Sequence, residues 1–232
     1  MILLQWLDDL LSLFYPKLCQ SCGKSLFYKE EIICLQCKLH LPETGFHLEK
    51  DNALEQFFWG RVPFERASAF LYFVKKGNVQ HLIHRLKYKG KEEIGIYLGK
   101  LYGKKLIQSE DFRSIDFIVP VPLHLSKLKL RGYNQSELFA NGLSESMNVP
   151  VNTTILIRQK ASETQTRKSR FKRWENVKEI FTIENGEVFE NKHLLLVDDV
   201  ITTGATLESC AGILLKISGV KVSVASIAVA GL

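Results

Sequence analysis

The sequence predicts an α/β protein built on a parallel β-sheet flanked by helices, with a small four-cysteine zinc-binding module near its start. Short runs that are apolar on both faces, such as HLLLV at 193–197, alternate with stretches of helical periodicity. That alternation is typical of parallel sheets covered on both sides. The chain has 232 residues, of which 46% are hydrophobic, enough to bury a sizeable core. Two C-x2-C pairs predict the module separately.

Composition and charge exclude several classes of protein. Only 6 prolines argue against collagen-like and proline-rich chains. Lys and Arg number 31 against 25 Asp and Glu, and this net charge of +6 favours a phosphate-bearing partner. Asp8 and Asp9 interrupt the apolar stretch 1–18, which is therefore too short for a membrane span. We expect a cytoplasmic protein whose N-terminal segment is an amphipathic helix, with one apolar stripe at Leu3, Leu7, Leu10 and Phe14.

The first candidate site is the spacing C-x2-C-x11-C-x2-C, formed by Cys19, Cys22, Cys34 and Cys37. A two-residue gap turns both thiolates of a pair toward one point, and two such pairs complete a tetrahedral sulfur shell for structural zinc. Two disulfides or a thioredoxin-like redox pair are the alternatives. Disulfides conflict with the absence of a recognisable secretion signal. A redox pair belongs at a helix start beside a predicted strand. His40 or His47 is a possible substitute ligand, although four cysteines are simpler.

The remaining chain is predicted as a linker at 42–63, where periodicity is lost, and a larger domain at 64–232, after the zinc module at 19–41. Strands are predicted at 66–74, 116–121, 154–157, 193–197 and 220–229. Helices are predicted around 82–86 and 94–101, on either side of Gly90, and then at 134–147 and 206–217. Cys210 falls on an apolar helix pattern and is predicted to be a core residue.

The stretch LLLVDDVITTGATL at 194–207 carries the second candidate site. A buried strand is followed by Asp198 and Asp199, and then by a threonine-rich turn that enters a helix. Gly204 allows close backbone approach, and consecutive N–H groups at the helix start suit an anion. The two carboxylates accept hydrogen bonds only, which fits adjacent sugar hydroxyls or a magnesium ion. Together they indicate a phosphorylated ribose, its phosphate held by Thr202, Thr203, Gly204, Ala205 and Thr206.

A second loop, VPVPLHLSKLKLRGYNQ at 119–135, supports this interpretation. A strand runs into two prolines and then a basic stretch before a helix. Arg131 is the best phosphate candidate there because its planar guanidinium can bind phosphate with two hydrogen bonds. Lys127 and Lys129 are weaker candidates, since exposed lysines are common.

The string VDDVITTGAT strongly resembles the phosphoribosyl pyrophosphate (PRPP) motif of type I phosphoribosyltransferases. That resemblance implies a type I phosphoribosyltransferase-like parallel sheet. It also implies that Asp198 and Asp199 contact the ribose hydroxyls, that 202–206 hold the 5-phosphate, and that the loop at 119–135 receives the pyrophosphate. Magnesium is the expected companion of PRPP.

The order of motifs along the whole chain resembles the ComF family of competence proteins. The double cysteine pair is followed by Leu86-Lys87-Tyr88, VPVPL, Arg131-Gly132-Tyr133-Asn134-Gln135 and VDDVITTGAT. The resemblance implies a role in natural transformation, with cytoplasmic handling of incoming single-stranded DNA. Possible partners are therefore single-stranded DNA and DNA-processing or uptake proteins. Lys87 and Tyr88 are weak candidates for ligand contacts, whereas His81 and His84 are ordinary helix-face residues.

A basic segment at 158–173 admits two interpretations. In a DNA-binding protein its cations would follow a phosphate backbone, and the candidates are Arg167, Lys168, Arg170, Lys172 and Arg173. In an active phosphoribosyltransferase they would close over the departing pyrophosphate while a nitrogenous acceptor attacks the ribose. No acceptor-base pocket is identifiable from the sequence. We therefore favour a protein that binds PRPP or a related phosphoribosyl ligand and handles DNA, with transferase activity as the alternative.

Overall fold

The structure is a computed structural model that describes residues 16–158 and 181–231. Its main sheet has four parallel strands in the spatial order β1-β6-β5-β2. A separate antiparallel pair is formed by β3 and β4. The strands are β1 (Ala67–Tyr72), β2 (Phe117–Pro120), β3 (Leu156–Arg158), β4 (Phe181–Ile183), β5 (His193–Ile201) and β6 (Lys221–Val229).

Eight α-helices lie in the described part of the chain. They are α1 (Leu35–Leu39), α2 (Ala53–Phe58), α3 (Asn78–Tyr88), α4 (Glu93–Leu106), α5 (Glu110–Arg113), α6 (Leu125–Arg131), α7 (Gln135–Met147) and α8 (Ala205–Leu214). None of these helices has the length and apolar character needed to cross a bilayer.

The main sheet separates two apolar clusters because side chains alternate between the faces of each strand. Leu195 and Val197 of β5 pack with α3, α4 and α7, whereas Leu194 and Leu196 pack with α2 and α8 on the other face. Burial on both faces explains why β5 is a continuous apolar run in the sequence. The predicted parallel sheet covered by helices is confirmed.

The cysteine module, residues 19–41, belongs to the first of these clusters. Cys19, Ile33 and Leu41 are buried in the same apolar cluster as Phe70 and Leu71 of β1. Two hydrogen bonds join the module to α3, one from Arg85 Nη1 to Gln20 Oε1 at 2.8 Å and one between His81 Nδ1 and the Ser21 carbonyl at 3.3 Å. The module is therefore packed against the sheet domain.

Several predicted elements differ from the structure. The strand predicted at 154–157 is not part of the parallel sheet, because β3 pairs antiparallel with β4. Strand β5 continues past Val197 to Ile201, since its pairing with β6 extends to Val229. The basic stretch predicted as a loop forms helix α6, which ends where Gly132 adopts a left-handed conformation (φ +84°).

The segment predicted as a linker at 42–63 contains helix α2 and is packed on the sheet. Asn52 caps α2 by accepting hydrogen bonds from the N–H groups of Leu54 and Glu55. Leu54 and Phe58 are fully buried in the cluster with α8. Phe58 of α2 also lies against Gly204, in the turn between β5 and α8. The predicted N-terminal helix lies almost wholly outside the described residues.

Helices α4 and α7 approach so closely that glycine is required between them. A Cβ on Gly142 would overlap the carbonyl oxygen of Ile96. We expect Gly142→Ala to destabilise the fold by about 1–3 kcal/mol, because the backbones must separate. The matched control is Gly212→Ala in α8, where nothing lies within 4 Å of the added methyl, and a gain of up to about 1 kcal/mol is expected from helix propensity. Urea denaturation measures both, and equal effects would contradict the close-packing argument.

Candidate functional site

Two adjacent carboxylates lie near the carboxyl end of β5. Asp198 and Asp199 are part of the strand, where Asp198 is aligned with Ser226 of β6. The Asp199 N–H donates to Asp198 Oδ1 at 2.8 Å. In parallel α/β sheets, ligands bind beyond this edge of the strands. The acids are therefore at the place where the fold class puts its ligand site, although the strand continues two residues beyond them.

Asp198 is held by helix α7. The Ser136 hydroxyl donates to Asp198 Oδ1 at 2.9 Å, and Asn134 caps α7 by accepting from the Ser136 N–H at 3.1 Å. Burial and the neighbouring Asp199 charge raise the pKa of the Asp198 carboxyl to about 7, although the Asp199 N–H, Ser136 and Lys87 act in the opposite direction. A bound cation or a hydroxyl that donates to Asp198 would therefore favour its ionised form. Ser136 was not singled out from the sequence, because its contact with Asp198 spans 62 residues.

Asp199 is paired with a cation from helix α3. Lys87 Nζ lies 2.9 Å from Asp199 Oδ1 and 2.8 Å from Oδ2, and both side chains are largely buried. Lys87 was a weak candidate from the sequence, and the structure brings it to the acid pair. The ammonium compensates part of the charge of two neighbouring carboxylates. A ligand that binds to Asp199 must share this carboxylate with Lys87 or displace the Lys87 ammonium.

The threonine-rich turn follows the acids. Thr202, Thr203, Ala205 and Thr206 are exposed, whereas Gly204 is buried. Gly204 has φ +72°, and a Cβ there would lie 2.6 Å from the Phe58 ring of α2. No side chain among residues 16–158 and 181–231 caps the start of α8. The exposed turn and the uncapped N–H groups of this helix are therefore arranged to donate to an anion.

Arg61 is a functional candidate that the sequence did not reveal. Its Nη2 donates to the Thr203 carbonyl at 2.9 Å, and its Nε is paired with Glu208 in the first turn of α8. The guanidinium also lies over the Phe57 ring, 4.6 Å from the centroid. Arg61 lies 142 residues from Thr203 in the chain, so no local pattern indicates the contact. It fixes the outer side of the threonine-rich turn.

Arg131 lies at the end of α6 and is connected to the site through the first turn of α7. Its Nη1 donates to Gln135 Oε1 at 2.6 Å, and its guanidinium lies over the Tyr88 ring at 5.2 Å. Gln135 is the neighbour of Ser136, which holds Asp198. Lys127 and Lys129, on the same helix, are exposed. Arg131 is therefore connected to the acid pair indirectly, through Gln135 and α7, and Tyr88 is connected through its neighbour Lys87.

The four cysteines form a second site. Their Sγ atoms all lie within 4.8 Å of one another, and the Cys22 and Cys34 sulfurs are 3.9 Å apart. Tetrahedral zinc with Zn–S bonds of about 2.3 Å requires sulfurs about 3.8 Å apart. A disulfide requires about 2.05 Å, and all four thiols are free. The cluster can therefore hold a metal ion through four protein ligands.

Backbone groups favour a thiolate at Cys19. The N–H groups of Cys22 and Cys34 approach Cys19 Sγ at 3.5 and 3.3 Å. Burial disfavours the charge, but these hydrogen bonds outweigh it and lower the pKa of Cys19 to about 6. Burial raises the pKa of Cys37 to about 12. Thiolate is the form that binds metal. Cys19 therefore loses its proton more readily than Cys37 does.

Three other residues considered from the sequence, His40, His47 and Cys210, take no part in either site. His40 and His47 are outside the cysteine group, since His40 Nδ1 bonds to the Gln36 carbonyl at 2.8 Å and His47 is buried against Tyr102. Cys210 is fully buried in the core, as predicted. The proposed DNA contacts Arg167, Lys168, Arg170, Lys172 and Arg173 lie outside the described residues.

Comparisons with known proteins extend these observations. Residues 134–231 match the model of the phosphoribosyl transferase domain. "DNA utilization protein YhgH" of Salmonella typhimurium is 32% identical over 92% of this chain and 91% of that protein. The chain belongs to the ComF family of competence and DNA utilization proteins. "Competence protein F" of Haemophilus influenzae is 28% identical over 89% of this chain and 88% of its own length.

Among solved structures, the glutamine PRPP amidotransferase of B. subtilis is similar over 61% of this chain and 30% of its own, with a TM-score of 0.41 and 22% identity. The sheet of this ComF-family chain, with its flanking helices and the matched domain model, gives it the type I phosphoribosyltransferase fold. The resemblance inferred from the motifs is confirmed at the level of family and fold.

The raised pKa of Asp198 makes stability depend on pH. Between the ordinary carboxyl pKa of 3.8 and the folded value of about 7, the folded chain binds more protons than the unfolded one, so its free energy of unfolding falls as pH rises. Asp198→Asn removes this titration. We expect the variant to gain stability over the wild type at about pH 8 and to lose that advantage at about pH 4.

Differential scanning calorimetry at both pH values measures this effect. Glu145→Gln makes the same charge change at an exposed position on α7 and serves as the control. A stability difference for Asp198→Asn that does not change with pH would contradict the assigned pKa.

Proposed function

We propose that this chain binds PRPP or a related phosphoribosyl ligand, together with magnesium, and handles incoming single-stranded DNA during natural transformation. The observation that carries the proposal is the junction of β5 and α8. There two carboxylates, an exposed threonine-rich turn and an uncapped helix start follow one another within nine residues, 198–206. The carboxylates can accept hydrogen bonds from sugar hydroxyls, and the turn and helix start can donate hydrogen bonds to a phosphate. A phosphorylated sugar requires both kinds of group.

The charges divide the ligand between the two ends of this junction. A phosphate is repelled by Asp198 and Asp199 but suits the N–H groups and hydroxyls of 202–206. The ribose diol suits the carboxylates, which accept its hydrogen bonds. Magnesium, when bound with the ligand, would supply positive charge beside the acids and the pyrophosphate. Lys87 already supplies one such charge to Asp199.

Arg131 supports a place for the pyrophosphate. It lies at the end of α6 and is joined through Gln135 to the helix that holds Asp198. The Nε of Arg131 is buried and has no hydrogen-bond partner among the described residues. A buried donor without a partner is unfavourable, so an anion there would satisfy it. Of the candidate cations on α6, Arg131 is therefore the one we assign to the ligand.

The DNA-handling part of the proposal is supported by the relatives. They are named for DNA utilization and competence, and they match this chain over about nine-tenths of its length. The basic candidates Arg167, Lys168, Arg170, Lys172 and Arg173 stay a prediction. The net charge of +6 is consistent with a polyanionic partner. We place the protein in the cytoplasm because that is where the incoming strand is handled.

We further propose that the metal held by Cys19, Cys22, Cys34 and Cys37 is zinc and that its role is structural. All four tetrahedral positions would be filled by protein sulfur, which leaves no position for substrate. Because the module packs on β1 and α3, its order supports the helix that carries Lys87.

PRPP binding is tested by isothermal titration calorimetry with magnesium present. Asp199→Asn should weaken PRPP binding by at least about tenfold, because a charged acceptor of the ribose hydroxyls is lost. Glu145→Gln makes the same charge change at an exposed position and should bind as the wild type does. Equal affinities for all three proteins would refute the assignment of the diol to the acid pair.

The alternative, an active phosphoribosyltransferase, is tested in the same preparation. PRPP, magnesium and a panel of nucleobases are incubated with the protein, and pyrophosphate release is followed. Pyrophosphate release that depends on one base would show that the protein is an active phosphoribosyltransferase. The proposal that it only binds PRPP would then be wrong. PRPP binding without base-dependent release supports the proposal as stated.

Metal content tests the cysteine module. Elemental analysis of freshly purified protein should give about one zinc per chain, and Cys22→Ser should lose most of it because one ligand is removed. Cys210→Ala, a buried cysteine outside the cluster, is the control and should keep its zinc. Zinc-free wild-type protein would rule out the structural zinc.

A further inference from the structure

We propose that helices α3 and α6 form a binding surface for single-stranded nucleic acid beside the phosphoribosyl site. The α3–α6 surface is defined by His84, Tyr88 and Lys89 at the end of α3, and by Lys127, Lys129 and Leu130 on α6. The inference rests on the DNA-handling function proposed above. It assigns that function to a part of the chain other than the basic segment 158–173.

The charged residues that define this surface are all basic. No Asp or Glu occurs between 75 and 91, a stretch that includes all of α3 and contains six lysines and arginines. No Asp or Glu occurs between 117 and 136 either, a stretch that includes all of α6. In a chain where acids are almost as frequent as bases, two acid-free segments that fold side by side concentrate positive potential. Lys89, Lys127 and Lys129 form no ion pair with any residue in 16–158 or 181–231.

The two helices meet at an exposed aromatic ring. The Arg131 guanidinium lies over the Tyr88 ring at 5.2 Å, and the His84 ring centroid is 5.1 Å from that of Tyr88. The Tyr133 hydroxyl donates to the Leu86 carbonyl at 2.5 Å, which fixes the end of α3 against the segment after α6. Tyr88 is nevertheless 59% exposed and Leu130 is 81% exposed. Large apolar side chains are therefore presented to solvent among cations.

This combination favours a single strand over other polyanions. Exposed aromatic rings stack on unpaired bases, while the surrounding lysines contact the phosphates between them. In a duplex the base faces are already stacked, so Tyr88 and Leu130 would gain nothing from it. The surface also adjoins the acid pair, because Lys87, the residue before Tyr88, is bound to Asp199. A strand on this surface would lie next to the phosphoribosyl ligand.

The first experiment measures the affinity of the full-length chain for a fluorescent oligothymidylate by anisotropy, over a range of salt concentrations. The double variant Lys127→Gln, Lys129→Gln should lower affinity on the order of tenfold at about 0.1 M salt. It should also reduce the slope of log affinity against log salt by about 1.4, since each contact with a single strand contributes about 0.7. The control is the double variant Lys216→Gln, Lys221→Gln, which also removes two exposed lysines. These lysines lie just before β6 and at its first residue, at the end of the sheet opposite to the acid pair.

The second experiment tests stacking on Tyr88. Tyr88→Ala should weaken oligothymidylate binding by about 5- to 100-fold, whereas Tyr88→Phe keeps the ring and should stay close to the wild type. Photocrosslinking with a bromodeoxyuridine oligonucleotide, followed by mass spectrometry, should place the crosslink on the peptide that contains Tyr88.

The outcomes separate this inference from the function on which it rests. If the wild type binds the oligonucleotide and both double variants weaken it equally, the surface is wrong while DNA handling stands. If the wild type binds no oligonucleotide, the proposed surface and the proposed DNA-handling function are both wrong. Tighter binding of duplex DNA, or binding of anionic lipid vesicles with the same dependence on Lys127 and Lys129, overturns the assignment to a single strand.

Discussion

The site depends on two neighbouring carboxylates held at the end of a strand that is buried on both faces. Placing Asp198 and Asp199 together in a partly buried position is unfavourable, because like charges repel and burial disfavours ionisation. The fold compensates with a hydroxyl from α7 and an ammonium from α3. Three separate elements must therefore be in place before the acid pair is stable. Helix α3 also carries Tyr88, and Arg131 at the end of α6 is joined to α7 through its hydrogen bond to Gln135.

Helix α3 links the two candidate sites. His81 and Arg85 of this helix contact the cysteine module, and Lys87 in its last turn reaches Asp199. A four-cysteine cluster can be a compact structural unit in its own right, since metal binding orders short segments. Here the module is buried against the same cluster as β1 and α3. The module is thus part of the framework that positions the acid pair.

The segment between the cysteine module and β1 has a similar supporting role on the other face of the sheet. Phe58 of α2 packs against Gly204, and Arg61 binds the Thr203 carbonyl and Glu208. These contacts restrain the threonine-rich turn from behind and from its outer side, and its exposed residues remain available for an anion. The turn is therefore positioned by residues that precede it by more than 140 positions.

Local patterns in the sequence were sufficient for the elements and motifs whose physics is local. The apolar run of β5, the four-cysteine spacing and the glycine-containing turn before α8 each depend on residues a few positions apart, and the structure confirms the strand, the cysteine cluster and the helix start. Tertiary structure decided the contacts between distant segments. It assigned β3 to a separate antiparallel pair, turned the basic stretch into α6, and brought Lys87, Ser136 and Arg61 to the site. Periodicity and spacing report on one segment at a time, whereas the partner of a buried charge is chosen by which segments pack together, and that choice is made only when the whole chain folds.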